Sequence, residues 1–235
     1  MMTTPMTKLL AIDTSGEACS VALAIEGELH ELFEVMPRMH ARSLLTMAND
    51  LLANHSIEIA DLDAIAYARG PGSFTGLRIA AGVVQGMAFA AHLPVVPVST
   101  LATLAQGSRC RNDGLCLVAL DARMDEIYWA CYQMQQGFVS LLGEEKVSRP
   151  QAMNPQQYLS SEKNWLGVGE GWHLMDRFPE EVRRGAANII PDLYPHAVDV
   201  ASLALHYLAC DPDVAVTPEQ ALPVYLRDKT AWKKS

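Results

Sequence analysis

One pattern occurs twice in this chain: an apolar strand that ends in an aspartate, a tight polar turn, and a returning strand. The first copy is KLLAIDTSGEACSVALAI at residues 8–25, with Asp13 before the turn Thr14-Ser15-Gly16-Glu17. The second is LCLVALDARMDEIYWACYQM at residues 115–134, with Asp121 in the matching place. Short apolar runs bounded by turn residues read as strands. A hairpin of this kind opening each half predicts a duplicated α/β fold. The expected lobes are residues 1–106 and 107–235, joined through the polar stretch GSRCRNDG, with the C-terminal segment of the second expected to pack back on the first. The alternative is that two ordinary hairpins resemble each other by chance.

The first half fills in around its hairpin. A third strand is expected over Glu28–Glu34, and short strands over Ala64–Ala68 and Pro94–Val98. Residues 38–55 carry Ala41, Leu44, Leu45, Ala48, Leu51 and Leu52 at helical spacing, with Arg42, Thr46, Asn49 and Asp50 opposite. After the glycine-rich turn GPGSFTG, a second helix is expected from Phe74 to Ala91. In that helix the strongly polar side chains are Arg78 and Gln85, with His92 just beyond, spaced seven apart and so nearly in line. The rest of its circumference is apolar, which requires cover on more than one side. Gly82 and Gly86 would let another backbone come close. Either the helix is central to its own domain, or it binds a partner with helix 38–55 beside it. The partner reading puts Leu44, Met47, Leu51, Gly82, Val83, Gly86 and Met87 at the interface. The second half reads as less regular, with a strand-like NWLGV, the glycine turn GVGEG and a helix over Val198–Ala209.

Hairpin turns that fold around an anion need small residues, so that backbone N–H groups can approach it. Asp13, Thr14, Ser15 and Gly16 meet that need. The second turn does not, because Arg123 and Met124 stand there, and Asp125 and Glu126 would face a phosphate with like charge. GVGEG suits an adenine pocket or a plain strand-to-helix turn equally. No catalytic residue emerges. The sequence has no GxxxxGK[ST] loop and no GxSxG elbow. Ser73 reads as a helix N-cap rather than a nucleophile. The seven histidines form no HxxxH or HExxH pair, so no metal site is expected, and His40 reads as solvated.

Composition narrows the partners. A net charge of −9 argues against direct gripping of nucleic acid, and the basic tail YLRDKTAWKKS reads as solvated. Five scattered cysteines without a CxxC read as free thiols of a reducing, cytoplasmic setting, and no membrane span is expected.

The paired strand-Asp-turn hairpins resemble the actin-like ATPase and sugar-kinase superfamily (ASKHA, RNase H-like). More specifically, AIDTSGEACSVAL, ARGPGSFTGLRIA, VVPVSTLATLA, VALDARMDEIYWACY and PVYLRDK together resemble the TsaB, or YeaZ, family. These are bacterial non-catalytic partners in making threonylcarbamoyladenosine on tRNA. The resemblance implies an actin-like two-lobed fold and docking on the transferase TsaD, with TsaE joining the pair. It also implies homodimers through the first-lobe helices when TsaD is absent, contact with tRNA only indirectly, and nucleotide only at a partner interface. In TsaD two histidines of an NHLEGH motif hold the metal. The matching stretch here is STLATL, with Thr100 and Leu104 in the histidine places. An ATP-hydrolysing or small-molecule kinase of the same superfamily is the second reading, and a peptidase using Ser73 a distant third.

Overall fold

The computed structural model describes residues 7–110, 114–155, 157–159 and 164–227. It divides into two compact units: Met1–Thr103 with Pro195–Pro223, and Leu104–Tyr194 with Val224–Ser235. The chain therefore leaves the first unit after Thr103, where the sequence suggested residue 106, and returns to it for residues 195–223.

The first unit is built on a five-stranded sheet. Strands β1 (Leu9–Asp13), β2 (Ala18–Ile25) and β3 (Glu28–Val35) form an antiparallel meander. Strands β4 (Ala64–Gly70) and β5 (Val95–Ser99) add in parallel on the other side of β1, giving the order β3-β2-β1-β4-β5. Helices α1 (His40–Asn54) and α2 (Phe74–Ala91) share one core with Leu10, Ile12, Val21, Leu23 and Ile65. Helix α3 (Thr100–Gly107) follows β5. Leu9 and Ala11 alternate with the first two of those core residues and are buried as well, so β1 is covered on both faces. Helix α5 (Ala197–Cys210) packs across β1, β2, β4 and β5.

The second sheet repeats the first. Strands β6 (Leu115–Arg123), β7 (Glu126–Gln135) and β8 (Phe138–Ser148) are an antiparallel meander, and β9 (Trp165–Val168) and β10 (Ala186–Ile190) add in parallel beside β6. Read from β8, the order β8-β7-β6-β9-β10 matches β3-β2-β1-β4-β5 strand for strand. The expected irregularity of this half lies in its helices and in register shifts of three strand pairs. The place of long cover is taken by a 3-10 helix, Glu170–Arg177, and one short helix, α4 (Glu180–Gly185). With little helix to bury, this core relies on aromatic bulk. Trp172 is fully buried, donates its Nε1–H to the Leu117 carbonyl at 3.1 Å, and meets Phe178 edge-on. GVGEG is the turn from β9 into the 3-10 helix.

Trp172→Ala should therefore cost about 3–5 kcal/mol, the range for emptying a large aromatic site. Urea unfolding followed through exposure of the second unit's core would measure it. A loss below about 1 kcal/mol would mean that Trp172 is not the centre of that core.

Candidate functional site

Asp13 closes β1 and is 1% exposed. Its Oδ1 accepts two hydrogen bonds from Ser15, one from the backbone N–H and one from the hydroxyl, both 2.8 Å. Its Oδ2 has no hydrogen-bond partner among the described residues. Burial pushes the carboxyl up to about 7, against the pull of the Ser15 donors and His196.

The groups around the first turn are spent on the chain itself. GPGSFTG folds down onto it: the Ser73 N–H donates to the Ser15 carbonyl at 2.7 Å, and the Thr14 hydroxyl donates to the Gly76 carbonyl at 2.8 Å. Gly72 and Gly76 are small for this reason. A Cβ on Gly72 would lie 2.5 Å from the Ser15 carbonyl oxygen, and one on Gly76 would overlap the Thr14 carbonyl. Ser73 caps α2 through its hydroxyl, which accepts the Gly76 N–H at 3.3 Å. The GPGSFTG loop is the seat of β1's turn.

Beside the turn lies a buried polar group. Glu31 of β3 accepts from the Ser20 hydroxyl at 2.6 Å, from His196 Nδ1–H at 3.0 Å and from the Val198 N–H in the first turn of α5. Ser20 in turn accepts the Ala197 N–H at 2.9 Å, and the His196 ring stacks on Phe33. Burial pushes Glu31 up, but the bonds from His196 and Ser20 hold it below the usual carboxylate range. Its bond to Glu31 lifts His196 above the ordinary imidazole value. This group anchors the N-terminus of α5, which lacks a side-chain cap of its own.

The second turn is filled differently. Arg123, Met124 and Asp125 all have positive φ, and the carbonyls of Ala122 and Arg123 receive the Arg227 guanidinium. The two acids expected to face an open site are paired, Asp125 with Arg177 and Glu126 with Arg227. Arg227, read in the sequence as part of a solvated tail, is a bound residue with only 13% of its side chain exposed. The tail beyond it, residues 228–235, lies outside the described residues.

The helix pair also sorts the expected partner residues. Leu44 and Leu51 are 0% and 3% exposed and belong to the core, so they cannot meet a partner; the stripe they form is the one that covers the sheet. Met47, Val83 and Met87 are partly buried against the same core. Gln85 turns aside to donate to the Ala221 carbonyl, so Arg78, Gln85 and His92 do not form one polar line. Gly82 and Gly86 are exposed, and nothing described lies within 4 Å of a Cβ built on either. Phe74 and Phe89, 53% and 66% exposed, stand at either end of that face, and Arg78 lies 3.9 Å above the Phe74 ring. By length and composition α2 would suit a membrane, but its other side is built into the first core. His40, expected in solvent, is buried and donates Nε2–H to the Ala18 carbonyl. Thr100 and Leu104 are buried too, and no trio of His, Cys, Asp or Glu among the described residues is placed to hold a metal.

The titrations give a pH dependence. Asp13 ionises near 7 in the fold against an ordinary 3.8, so the folded chain holds an extra proton between those values. Its contribution is complete below 3.8 and is lost as pH rises through 7. The raised His196 acts in the same direction above 6.5, while the lowered Glu31 acts only below 4.5. Stability should fall from about pH 4 to about pH 7 through Asp13, with His196 extending the fall above 6.5, and Asp13→Asn should flatten the slope below pH 7. Thermal melts across the range would check it; an unchanged slope in the variant would show that Asp13 does not titrate there.

A family model described as TsaD, tRNA N6-adenosine threonylcarbamoyltransferase, matches residues 33–235. The tRNA threonylcarbamoyladenosine biosynthesis protein TsaB of Escherichia coli K12 is 43% identical, over 97% of this chain and 97% of that protein. The TsaB of Haemophilus influenzae is 36% identical, over 96% of each. Among solved structures, YeaZ from Pseudomonas aeruginosa superposes with a TM-score of 0.86 at 47% identity, over 94% of this chain and all of that one. The matched sheets, the shared actin-like architecture and these relatives lead to one assignment: the chain belongs to the TsaB (YeaZ) family.

Proposed function

We propose that this chain is a non-catalytic subunit of threonylcarbamoyladenosine synthesis on tRNA, acting in the cytoplasm by docking on TsaD. The observation that carries the reading is the open face of α2. A helix interior with two exposed glycines is weak as a helix, because each costs about 1 kcal/mol relative to alanine. An exposed Gly82–Gly86 pair flanked by exposed Phe74 and Phe89 is a face on which another helix can come close and bury aromatic area. The two hairpin turns support the same reading, since each has its polar groups engaged within its own unit. The relatives' printed role in tRNA modification supplies the pathway. On this reading TsaE joins the pair, a second copy covers α2 when TsaD is absent, tRNA is met only through the assembly, and any nucleotide sits at the partner interface. The second turn, filled by Arg227, speaks against the ATP-hydrolysing or kinase reading.

The geometry separates surface from core substitutions. Gly82→Arg and Gly86→Arg should leave a folded, soluble chain, with helix propensity gaining up to about 1 kcal/mol. The same variants should no longer capture TsaD from the same organism in a pull-down and should form no dimer by light scattering. Val83→Glu and Met87→Glu should instead lose about 1–3 kcal/mol of stability, because their side chains lie against the core. Full TsaD capture by folded Gly82→Arg would remove α2 from the interface.

A further inference from the structure

We propose that the β6–β7 turn is a guanidinium-binding site, which the chain fills with its own Arg227. An anion cradle turns N–H groups inward; this turn does the opposite. Arg123, Met124 and Asp125 take φ of 62°, 55° and 62°, three successive side-chain-bearing residues in the left-handed region. Such a run is costly and persists where something holds it. Here the holder is a cation. Arg227 Nη2 donates to the Ala122 carbonyl at 3.0 Å, the Arg123 carbonyl at 3.1 Å and Glu126 Oε2 at 2.6 Å, so that one of its N–H groups is shared. Nη1 reaches Met124 Sδ at 3.2 Å. Four acceptors on one turn thus converge on two terminal nitrogens of a planar, forked group.

The surroundings fit a cation rather than an anion. Asp121 takes the Arg123 side chain and its backbone N–H, so Arg123 points away from the site, and Asp125 holds Arg177. Of the carboxylates on the turn, Glu126 is left for Arg227. Leu222 and Tyr225 just before it are exposed, while the arginine itself is mostly buried, so the segment delivers one side chain into the turn. The carbonyls and the carboxylate meet Nη2 while Nη1 adds the sulfur, so a lysine, with one nitrogen and no planar fork, would leave the Met124 contact unmade. The site stands whether or not α2 docks on TsaD.

Chemical rescue tests the assignment on the full chain. Arg227→Ala should fold, with backbone amides of residues 123–126 exchanging about tenfold faster or more, the scale set by losing a charged hydrogen bond. Millimolar methylguanidinium should restore most of that protection and of the lost melting temperature, and methylammonium at the same concentration should not. Arg227→Lys should show the same exposed turn. If Arg227→Ala does not fold, Glu126→Gln on the intact chain should by itself loosen the turn. Equal action of the two cations, no rescue, or an Arg227→Ala or Glu126→Gln turn as protected as in the parent would each overturn the proposal.

Discussion

The first unit depends on how closely one backbone lies on another. Gly72 and Gly76 bring the start of α2 onto the Asp13–Ser15 turn, near enough for the Ser73 N–H and the Thr14 hydroxyl to cross between them. That contact fixes where α2 begins. It thereby decides which side of the helix is pressed on the sheet, with Leu77, Ala80, Val84 and Ala88 inside, and which side is left carrying Gly82, Gly86 and Phe89. The same contact engages the Thr14 hydroxyl, so one constraint both shapes the turn and presents the open face.

The two halves keep one sheet topology and satisfy their equivalent turns with different groups. In the first, the Ser15 carbonyl accepts a loop N–H, the Thr14 hydroxyl donates to the Gly76 carbonyl, and a buried carboxyl holds its proton near neutrality. In the second, carbonyls turn inward on a guanidinium. A duplicated fold can retain its strands while losing a shared ligand site, because the strands are specified by buried apolar runs and the ligand site by a few turn residues.

Much of this could be read from residues. The apolar runs ending in Asp13 and Asp121 identified both hairpins, and the stripe on α1 and the length of α2 were sound. The eleven-residue β8 was not apparent, because Glu144, Glu145 and Lys146 break its apolar pattern where it runs exposed along the sheet edge. Leu44 and Leu51 were assigned to a partner because periodicity shows that a helix has an apolar face without saying what that face meets. The role of Gly72 and Gly76 was not legible, because a glycine-rich turn has the same composition whether its backbone approaches a phosphate or another carbonyl. Arg227 was invisible as a site residue, since its partners lie about a hundred positions earlier in the chain.

The central claim is that the chain's own groups sit on both hairpin turns, the GPGSFTG loop on the first and Arg227 on the second, as the proposed docking role requires. Calorimetric titration of the isolated chain with ATP and magnesium tests this most directly. The account predicts no saturable heat up to millimolar nucleotide. A stoichiometric, saturable binding curve that Asp13→Ala abolishes, in a variant that still folds, would contradict it.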